Sequence, residues 1–181
     1  MGDEDPIQTC ATLNVMAEAK SWPMRCDGKL AFERPELRAL LELWQSKAAG
    51  GIPARTVFDM RVLKPFAPQI VILEREGKGE ESRYKFRLLG SALSQLFGEH
   101  TGRYLDEMVS PKMLPSWLAV YDAVLKTRRP LRIVTHFRLP SENFLKGEIM
   151  AAPMTDASGE ERMILAATYV GPRDVVPPPF A

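Results

Sequence analysis

The sequence has little net charge and no long hydrophobic run. Its 24 Lys and Arg residues nearly cancel its 23 Asp and Glu residues, so no overall field attracts nucleic acid or anionic lipid. The longest apolar stretches, such as residues 70–73 and 163–167, are far shorter than the roughly 20 residues that span a bilayer. The acidic start, residues 1–6, contains no apolar targeting segment. We therefore expect a cytoplasmic protein without a membrane span.

Cysteine and histidine are also scarce. Cys10 and Cys26 match neither a C-x-x-C metal motif nor a disulfide framework, and we interpret them as ordinary thiols. Glu99 and His100 lack further metal ligands at suitable spacing. The sequence therefore predicts no metal site.

No catalytic constellation stands out in the sequence. Ser91, His100 and Asp106 have the residue types of a hydrolase triad, but they lack the strand-turn-helix context of a nucleophile. We therefore predict that the protein is not an enzyme and has no catalytic residues.

What the sequence does contain is the composition and periodicity of one folded domain. The chain has 181 residues, of which 45% are hydrophobic and 26% charged, as is usual for a globular domain. An apolar stripe at helical spacing begins after Pro35 and ends before Gly50 and Gly51. This pattern predicts an amphipathic helix over residues 35–48. Its stripe includes Leu37, Leu40, Leu41 and Trp44.

The rest of the chain alternates between strand and helix patterns. The predicted helices are a short one at 92–97 and a long one whose apolar series runs from 114 to 125 and which ends at 128–130. The last predicted strand is apolar on both faces, which favours a central position in a sheet. The order predicts an α+β fold, a five-stranded antiparallel sheet with helices on one face and an N-terminal helix. The predicted strands cover residues 69–75, 83–89, 131–139, 144–154 and 162–170.

These elements divide the chain into three parts. Residues 1–34 form an N-terminal extension without a sustained period, in which two helical turns fit 13–20. Residues 35–170 form the domain, with the leading helix 35–48. Residues 171–181 form a Pro-rich tail, because consecutive prolines cannot continue a sheet.

The order of elements and one stretch of residues resemble the PAS family. The stretch lies where the second strand passes into the following helices, and a lead-in precedes it. The stretch reads FRLLGS at 86–91 and continues with Leu93, Phe97-Gly98 and Thr101–Leu105. The lead-in consists of Trp44, Ile52-Pro53, Arg55 and Phe58-Asp59. The pattern covers residues 36–170 and is similar to that of a stand-alone alphaproteobacterial PAS subfamily. Met60 departs from it, since the subfamily has proline there.

The resemblance implies a regulatory role. PAS domains sense haem, flavin, small metabolites or nothing, and they pass signals through protein contacts. We therefore expect a bacterial, cytoplasmic module of signal transduction that contacts an unidentified signalling protein, with or without a small ligand. The length leaves no room for an output domain, so we expect the module to stand alone.

Neither haem nor a photoactive flavin is expected. Haem needs an axial histidine on a helix facing the pocket, whereas His100 lies between two glycines and His136 lies on a strand. The flavin chemistry needs a cysteine inside the domain, but Cys10 and Cys26 both precede it.

A ligand, if present, is expected between the sheet and the helices. Aromatic, Met and Thr side chains of several elements converge there by strand and helix periodicity. The candidates are Tyr84, Phe86, Phe97, Tyr104, Met108, Trp117, Tyr121, Thr135 and Phe137. The alternative, that these side chains fill the space completely, stays open.

The leading helix is the expected site of self-association. A helix of this length is marginal in water, so its stripe must be buried against its own sheet or a second copy. In other PAS proteins a leading helix often packs in a dimer, and this resemblance favours a homodimer. The interface candidates are Leu37, Leu40, Leu41 and Trp44.

Two alternatives to a ligand-modulated module remain. One is a ligand-independent scaffold. The other is a protein associated with nucleotides or nucleic acid, because guanidinium groups bind phosphate well. Its residues would be Arg128, Arg129, Arg132 and Arg138, although cations such as Arg128 and Arg129 also suit a helix C-terminus.

Overall fold

The computed structural model describes residues 3–138 and 144–172. The predicted turn at 140–143 and the tail from residue 173 lie outside the described residues. The helices are α1 Pro6–Ala19, α2 Pro35–Ala48, α3 Met60–Leu63, α4 Ser91–Phe97, α5 Leu105–Met108 and α6 Leu114–Thr127, with 3-10 turns at Arg55–Val57, Lys64–Gln69 and Gly79–Glu81. The strands are β1 Met24–Asp27, β2 Ile70–Glu76, β3 Arg83–Leu89, β4 Leu131–Arg138, β5 Phe144–Met154 and β6 Met163–Pro172.

The strands form one antiparallel sheet in the order β1-β4-β5-β6-β2-β3. The predicted α+β fold is thereby confirmed. Strand β6 pairs with β5 on one side and β2 on the other, so its predicted central position is also confirmed. It extends to Pro172, two residues into the predicted tail.

The sheet has six strands rather than five, because the N-terminal extension contributes β1. Met24–Asp27 pairs with β4 at the edge of the sheet. This strand was missed because its four residues are too few for a period of two to be recognised. Helix α1 is likewise longer than the two turns predicted within the extension.

Helices cover both faces of the sheet, so the prediction of helices on one face is wrong. On what we call the first face, α1, α4, α5 and α6 pack over side chains such as Ile164 and Ala166. On the second face, α2, α3 and the turn Lys64–Gln69 pack over Leu165 and Ala167. The physical reason is that the central strands are apolar on both sides and need two covers.

The predicted apolar stripe of α2 packs on the second face of its own sheet. Leu37 and Leu40 are fully buried, Trp44 is buried and Leu41 is half-buried. The indole Nε1 of Trp44 donates a hydrogen bond of 3.0 Å to the carbonyl oxygen of Pro153 on β5. Burial against its own sheet was one of the two alternatives for this stripe.

Helix α6 begins at Leu114, directly before Pro115. Pro115 lies in the first turn, where a helix needs no backbone N–H donor. The helix ends at Thr127, and Arg128 follows it in the left-handed conformation. Among the helices of the described part of the chain, none is long and apolar enough to cross a membrane.

Candidate functional site

The candidate site is the interior between the first face and helices α4 to α6. Of the predicted pocket residues, all except Tyr104 lie on this side of the sheet. Phe86 and Met108 pack there, and Thr135 is buried on β4 between Ile133 and Phe137. We call five rings of this space the aromatic cluster: Tyr84, Phe97, Trp117, Tyr121 and Phe137.

The rings of the aromatic cluster contact one another in a continuous series. The centroids of Tyr84 and Tyr121 are 5.4 Å apart, and those of Tyr121 and Trp117 are 5.9 Å apart. Trp117 stacks on Phe137 at 6.1 Å, and Phe137 lies 5.1 Å from Phe97. Such distances are typical of packed aromatic side chains. These centroid distances are those expected if side chains fill the space between the sheet and the helices.

Gly147 on β5 makes room for one of these rings. A Cβ atom at this position would lie 2.5 Å from Cε2 of Phe137, so any larger residue would displace the ring. Gly147 pairs with Thr135 on the neighbouring strand β4, which places it beside Phe137. Nothing in the sequence marks this glycine, because only the pairing of β4 with β5 shows its neighbour.

Two hydroxyl groups of the interior, those of Tyr84 and Thr135, have hydrogen-bond partners in the protein. The hydroxyl of Tyr84 donates a 2.6 Å hydrogen bond to Oδ1 of Asp122 on α6. Burial and this carboxylate raise the pKa of Tyr84, and burial raises the pKa of Tyr121. Thr135 donates a 2.8 Å hydrogen bond to the carbonyl oxygen of Pro23, so its hydroxyl holds the segment before β1.

Tyr104 does not belong to the predicted pocket. It lies beside Lys85 of β3, and its hydroxyl donates a 2.7 Å hydrogen bond to Oε2 of Glu76. The guanidinium of Arg83 lies 3.7 Å from the centre of its ring. Its position at the start of α5 turns the ring toward the charged side of the hairpin β2–β3, which helical spacing could not predict.

The two histidines occupy different settings. Nε2 of His100 lies 3.0 Å from the carbonyl oxygen of Phe97, while its Nδ1 is buried without a hydrogen-bond partner among the described residues. His136 lies on β4, where its backbone N–H donates to Pro23. Within residues 3–138 and 144–172, no group of three or more His, Cys, Asp or Glu residues suits a metal ion.

The predicted arginine surface is divided among separate ion pairs. Arg128 binds Glu161 at 2.6 Å and Asp3 at 3.0 Å. Arg132 binds Glu148 at 2.6 Å and its side chain is only 12% exposed. Arg129 is exposed, and the side chain of Arg138 lies outside the described residues. Two of the four predicted phosphate-binding groups are therefore engaged by carboxylates.

Glu148 on β5 is a buried carboxylate that no pattern in the sequence marks. Its two oxygens accept hydrogen bonds from the backbone N–H groups of Glu33 and Arg34, at 2.8 and 2.9 Å, and from Nε of Arg132. Burial alone would raise the pKa of Glu148, but these three donors outweigh burial and lower it. The carboxylate thereby fixes the segment that leads into α2.

The cavities described in the structure lie outside the aromatic cluster. One of about 450 Å³ lies between α1 and α6, where Leu13 and Met16 face Ala119, Asp122 and Ala123. Two others, of about 220 and 440 Å³, lie near Trp44 and Arg129. None of these three is lined by a ring of the aromatic cluster.

The arrangement on the first face defines the class of the protein. An antiparallel sheet covered by two short helices, α4 and α5, and the longer α6 is a PAS-like α+β fold. The PAS domain family model matches residues 32–168. The chain therefore belongs to the PAS domain family, a family of sensory domains.

Several solved structures are similar to the chain at low sequence identity. A light-oxygen-voltage domain studied with a flavin analogue is 14% identical, with a TM-score of 0.47 over 66% of this chain and 90% of that one. The Cycle PAS-B domain of Drosophila melanogaster with bound glycerol is 15% identical, with a TM-score of 0.40 over 56% of this chain and 99% of that one. VqmA of Vibrio cholerae, in a complex with ligand and DNA, is 14% identical with a TM-score of 0.46 over 62% of this chain. The match spans 51% of that VqmA chain. A search of curated protein sequences found no match.

We predict that Glu148→Gln destabilises the protein in a pH-dependent way. An amide cannot accept all three hydrogen bonds, so the free energy of unfolding at pH 7 should fall by about 1–3 kcal/mol. The pKa of Glu148 is lower in the folded protein than its ordinary value of 4.5. Its stabilising effect is therefore complete above that value and lost as pH falls through the folded pKa. The difference between wild type and variant should shrink below about pH 4.5, measured by urea unfolding.

The control for this measurement is Glu42→Gln, on the exposed side of α2. It should change the unfolding free energy by less than about 0.5 kcal/mol at every pH. A Glu148→Gln penalty that stays constant from pH 7 to pH 3 would show that ionisation of Glu148 contributes nothing.

Proposed function

We propose that this PAS domain is a regulatory module that acts through protein–protein contacts, with or without a small ligand in its interior. The observation that carries the proposal is the hydrogen bond between Tyr84 in the aromatic cluster and Asp122 on α6. Tyr84 is buried, whereas Asp122 lines the surface cavity between α1 and α6. A change in the interior would therefore alter the surface of α6 that lines this cavity, and we propose that a partner protein responds to this change.

The aromatic cluster supports this proposal by linking two strands and two helices. Tyr84 lies on β3, Phe97 on α4, Trp117 and Tyr121 on α6, and Phe137 on β4. Close-packed side chains transmit displacement because no free volume absorbs it. A shift of the sheet would therefore move α6, and binding of a partner to α6 would move the sheet.

We further propose that the domain acts without haem or flavin and is not an enzyme. Nε2 of His100 is engaged by the carbonyl oxygen of Phe97. Both cysteines precede the residues that match the family. Asp106 binds Arg83 through both carboxylate oxygens, at 2.7 and 2.9 Å, rather than a histidine. These three observations argue, respectively, against an axial haem ligand, a photoactive cysteine and a catalytic triad.

The phosphate-binding alternative has weaker support. The carboxylates bound to Arg128 and Arg132 would have to be displaced before those arginines could bind phosphate. The assignment to a stand-alone alphaproteobacterial subfamily stays a prediction from the motif at residues 86–105.

We also propose that the domain forms a homodimer, but through α1 rather than α2. The stripe of α2 is used within the chain, whereas Ile7, Ala11 and Val15 lie at helical spacing on the outer side of α1. Ile7 is 51% exposed and Val15 is 71% exposed. In an antiparallel pair related by a twofold axis at Ala11, Ile7 of each copy would meet Val15 of the other. The small Ala11 would let the two helices approach closely.

The hydroxyl of Tyr84 should couple the packing of the interior to the stability of α6. We predict that Tyr84→Phe lowers the free energy of unfolding by about 1–3 kcal/mol, because the carboxylate of Asp122 loses its donor. Amide exchange in residues 119–126 should increase in the same variant. The matched control is Tyr121→Phe, since no hydrogen bond of the Tyr121 hydroxyl is found among the described residues. Equal exchange of α6 in both variants would contradict the coupling.

The freshly purified protein should carry no chromophore. We predict no absorption band beyond 300 nm, and a native mass equal to the polypeptide or a multiple of it. Tyr121→Ala and Phe66→Ala each remove a buried ring, on the first and the second face respectively, and should cost about 3–5 kcal/mol of stability. A stoichiometric adduct that is lost in Tyr121→Ala and kept in Phe66→Ala would instead place a ligand in the interior. A Soret or flavin band would contradict the proposal outright.

A charged residue placed on the outer side of α1 tests whether this surface forms the dimer interface. We predict a dimer at roughly 100 µM by light scattering, and a monomer for Val15→Glu, because a charge in an apolar interface has no partner. Val57→Glu, at another exposed apolar position, should leave the dimer intact. A wild-type monomer at this concentration would refute the proposed interface.

A further inference from the structure

Helix α1 is held on the domain by very little apolar burial. Of its 14 residues, only Cys10 and Ala17 are buried, and Leu13 is partly buried against the first-face core. Its larger apolar side chains Ile7 and Val15 face outward. An isolated helix of this length is marginal in water and depends on tertiary contacts. Two small buried side chains supply few of them.

Several further contacts of α1 lie at Cys26 and just after it. The structure joins Cys10 and Cys26 in a disulfide with a Cα–Cα distance of 5.0 Å, so the interpretation as ordinary thiols is wrong. The side-chain amide of Asn14 donates to the carbonyl oxygen of Cys26 at 2.9 Å, and its oxygen accepts from the N–H of Cys26 at 2.8 Å. The start of α1 also lies close to Gly28, where a Cβ would be 2.6 Å from the carbonyl oxygen of Pro6.

Strand β1, which carries Cys26, has its own attachment to the sheet. It pairs with β4 along its whole length. Asp27 at its end binds Arg132 at 3.4 Å, and Thr135 holds the carbonyl oxygen of Pro23 just before it. The anchor of β1 therefore does not depend on α1. The disulfide connects a weakly packed helix to a firmly paired strand.

Helix α1 covers a specific part of α6. Leu13 and Met16 of α1 form one wall of the 450 Å³ cavity, and Ala119, Asp122 and Ala123 of α6 form the other. Asp122 also accepts the hydrogen bond from the buried Tyr84. If α1 left its place, this face of α6 would become accessible next to the Tyr84–Asp122 hydrogen bond.

We propose that the Cys10–Cys26 disulfide is a reversible redox site that controls the docking of α1 over α6. The partner reagent is a thiol, either a small-molecule thiol or a protein dithiol. Its thiolate attacks one sulfur, forms a mixed disulfide and releases the other cysteine as a thiolate that takes up a proton. A second thiol of the reagent then displaces the remaining cysteine, so the reagent becomes a disulfide. Two electrons and two protons pass to Cys10 and Cys26.

Burial couples this reaction to the position of the helix. Cys10 is 3% exposed and Cys26 is 7% exposed, so a reagent reaches the sulfur atoms only when α1 moves away. The coupling is reciprocal: the disulfide stabilises the docked position of α1, and the docked position of α1 stabilises the disulfide to the same extent. Reduction therefore shifts α1 toward the undocked state, and oxidation restores it. This inference does not depend on the proposed protein contacts of the domain.

The test compares one polypeptide in two redox states. The full chain is incubated with increasing dithiothreitol, alkylated with iodoacetamide and weighed by mass spectrometry, which counts the free thiols. Amide exchange is measured on the same samples. We expect residues 6–19 to exchange at least tenfold faster once both thiols are free, and residues 119–126 to lose part of their protection. The central strands at 149–154 and 163–170 should stay protected, and reoxidation by oxidised glutathione should restore α1.

A double variant and a single variant sharpen the result. Cys10→Ser with Cys26→Ser should resemble the reduced wild type, with or without dithiothreitol. Asn14→Ala should accelerate reduction at least threefold, because the helix loses its bonds to Cys26. The wild-type comparison stands even if the double variant misfolds.

Three outcomes would overturn the proposal. Equal exchange of residues 6–19 in the two states, with both thiols free, would mean that the bond does not hold the helix. Loss of protection in the whole sheet on reduction would make the bond a general support of the fold. Alkylation of both cysteines without any reductant, after treatment with oxidised glutathione, would mean that the pair does not form the bond.

Discussion

The central strands β5 and β6 carry apolar side chains on both faces, and this double burial determines the architecture around them. Ile164 and Ala166 of β6 require one cover, and Leu165 and Ala167 require another. Helices α4 to α6 cover the first face and α2 covers the second. The apolar stripe of α2 is therefore buried against its own sheet. The outer side of α1, by contrast, stays exposed at Ile7 and Val15.

Within this double-sided core, a few buried polar groups decide how the layers are connected. Glu148 lies on the second face and accepts two backbone N–H groups from the segment before α2. Arg132 completes its hydrogen bonds and extends them to Asp27 on the edge strand β1. On the first face, Tyr84 reaches Asp122 on α6. A buried polar group is costly unless it is paired, so each of these bonds specifies one arrangement of the elements it joins.

The two proposals place regulation at the same corner of the molecule by different means. The aromatic cluster links the sheet to α6 through ring contacts, and Asp122 carries that link to the surface. Helix α1 covers the surface next to Asp122 and is held there through Cys26. A signal from the interior and a redox signal from the disulfide would therefore both act on the exposure of α6. The proposed self-association through Val15 uses the opposite side of α1, so docking and pairing of this helix are compatible.

The sequence by itself determined the elements whose periodicity is strong, and with them the fold family. The stripe from Leu37 to Trp44 predicted α2 residue for residue, and the observed bounds of β2, β3, β5 and β6 lie within two residues of those predicted. Only the tertiary structure decided the contacts between distant residues. Tyr84 and Asp122 are 38 positions apart, and Glu33 and Glu148 are 115 apart, so no local pattern marks either pair. The strand β1 was too short for a period, Tyr104 turned to the other side of the hairpin, and the cysteines met because α1 folds back on β1. Periodicity reports which side of an element is buried, whereas pairing depends on which elements meet in space.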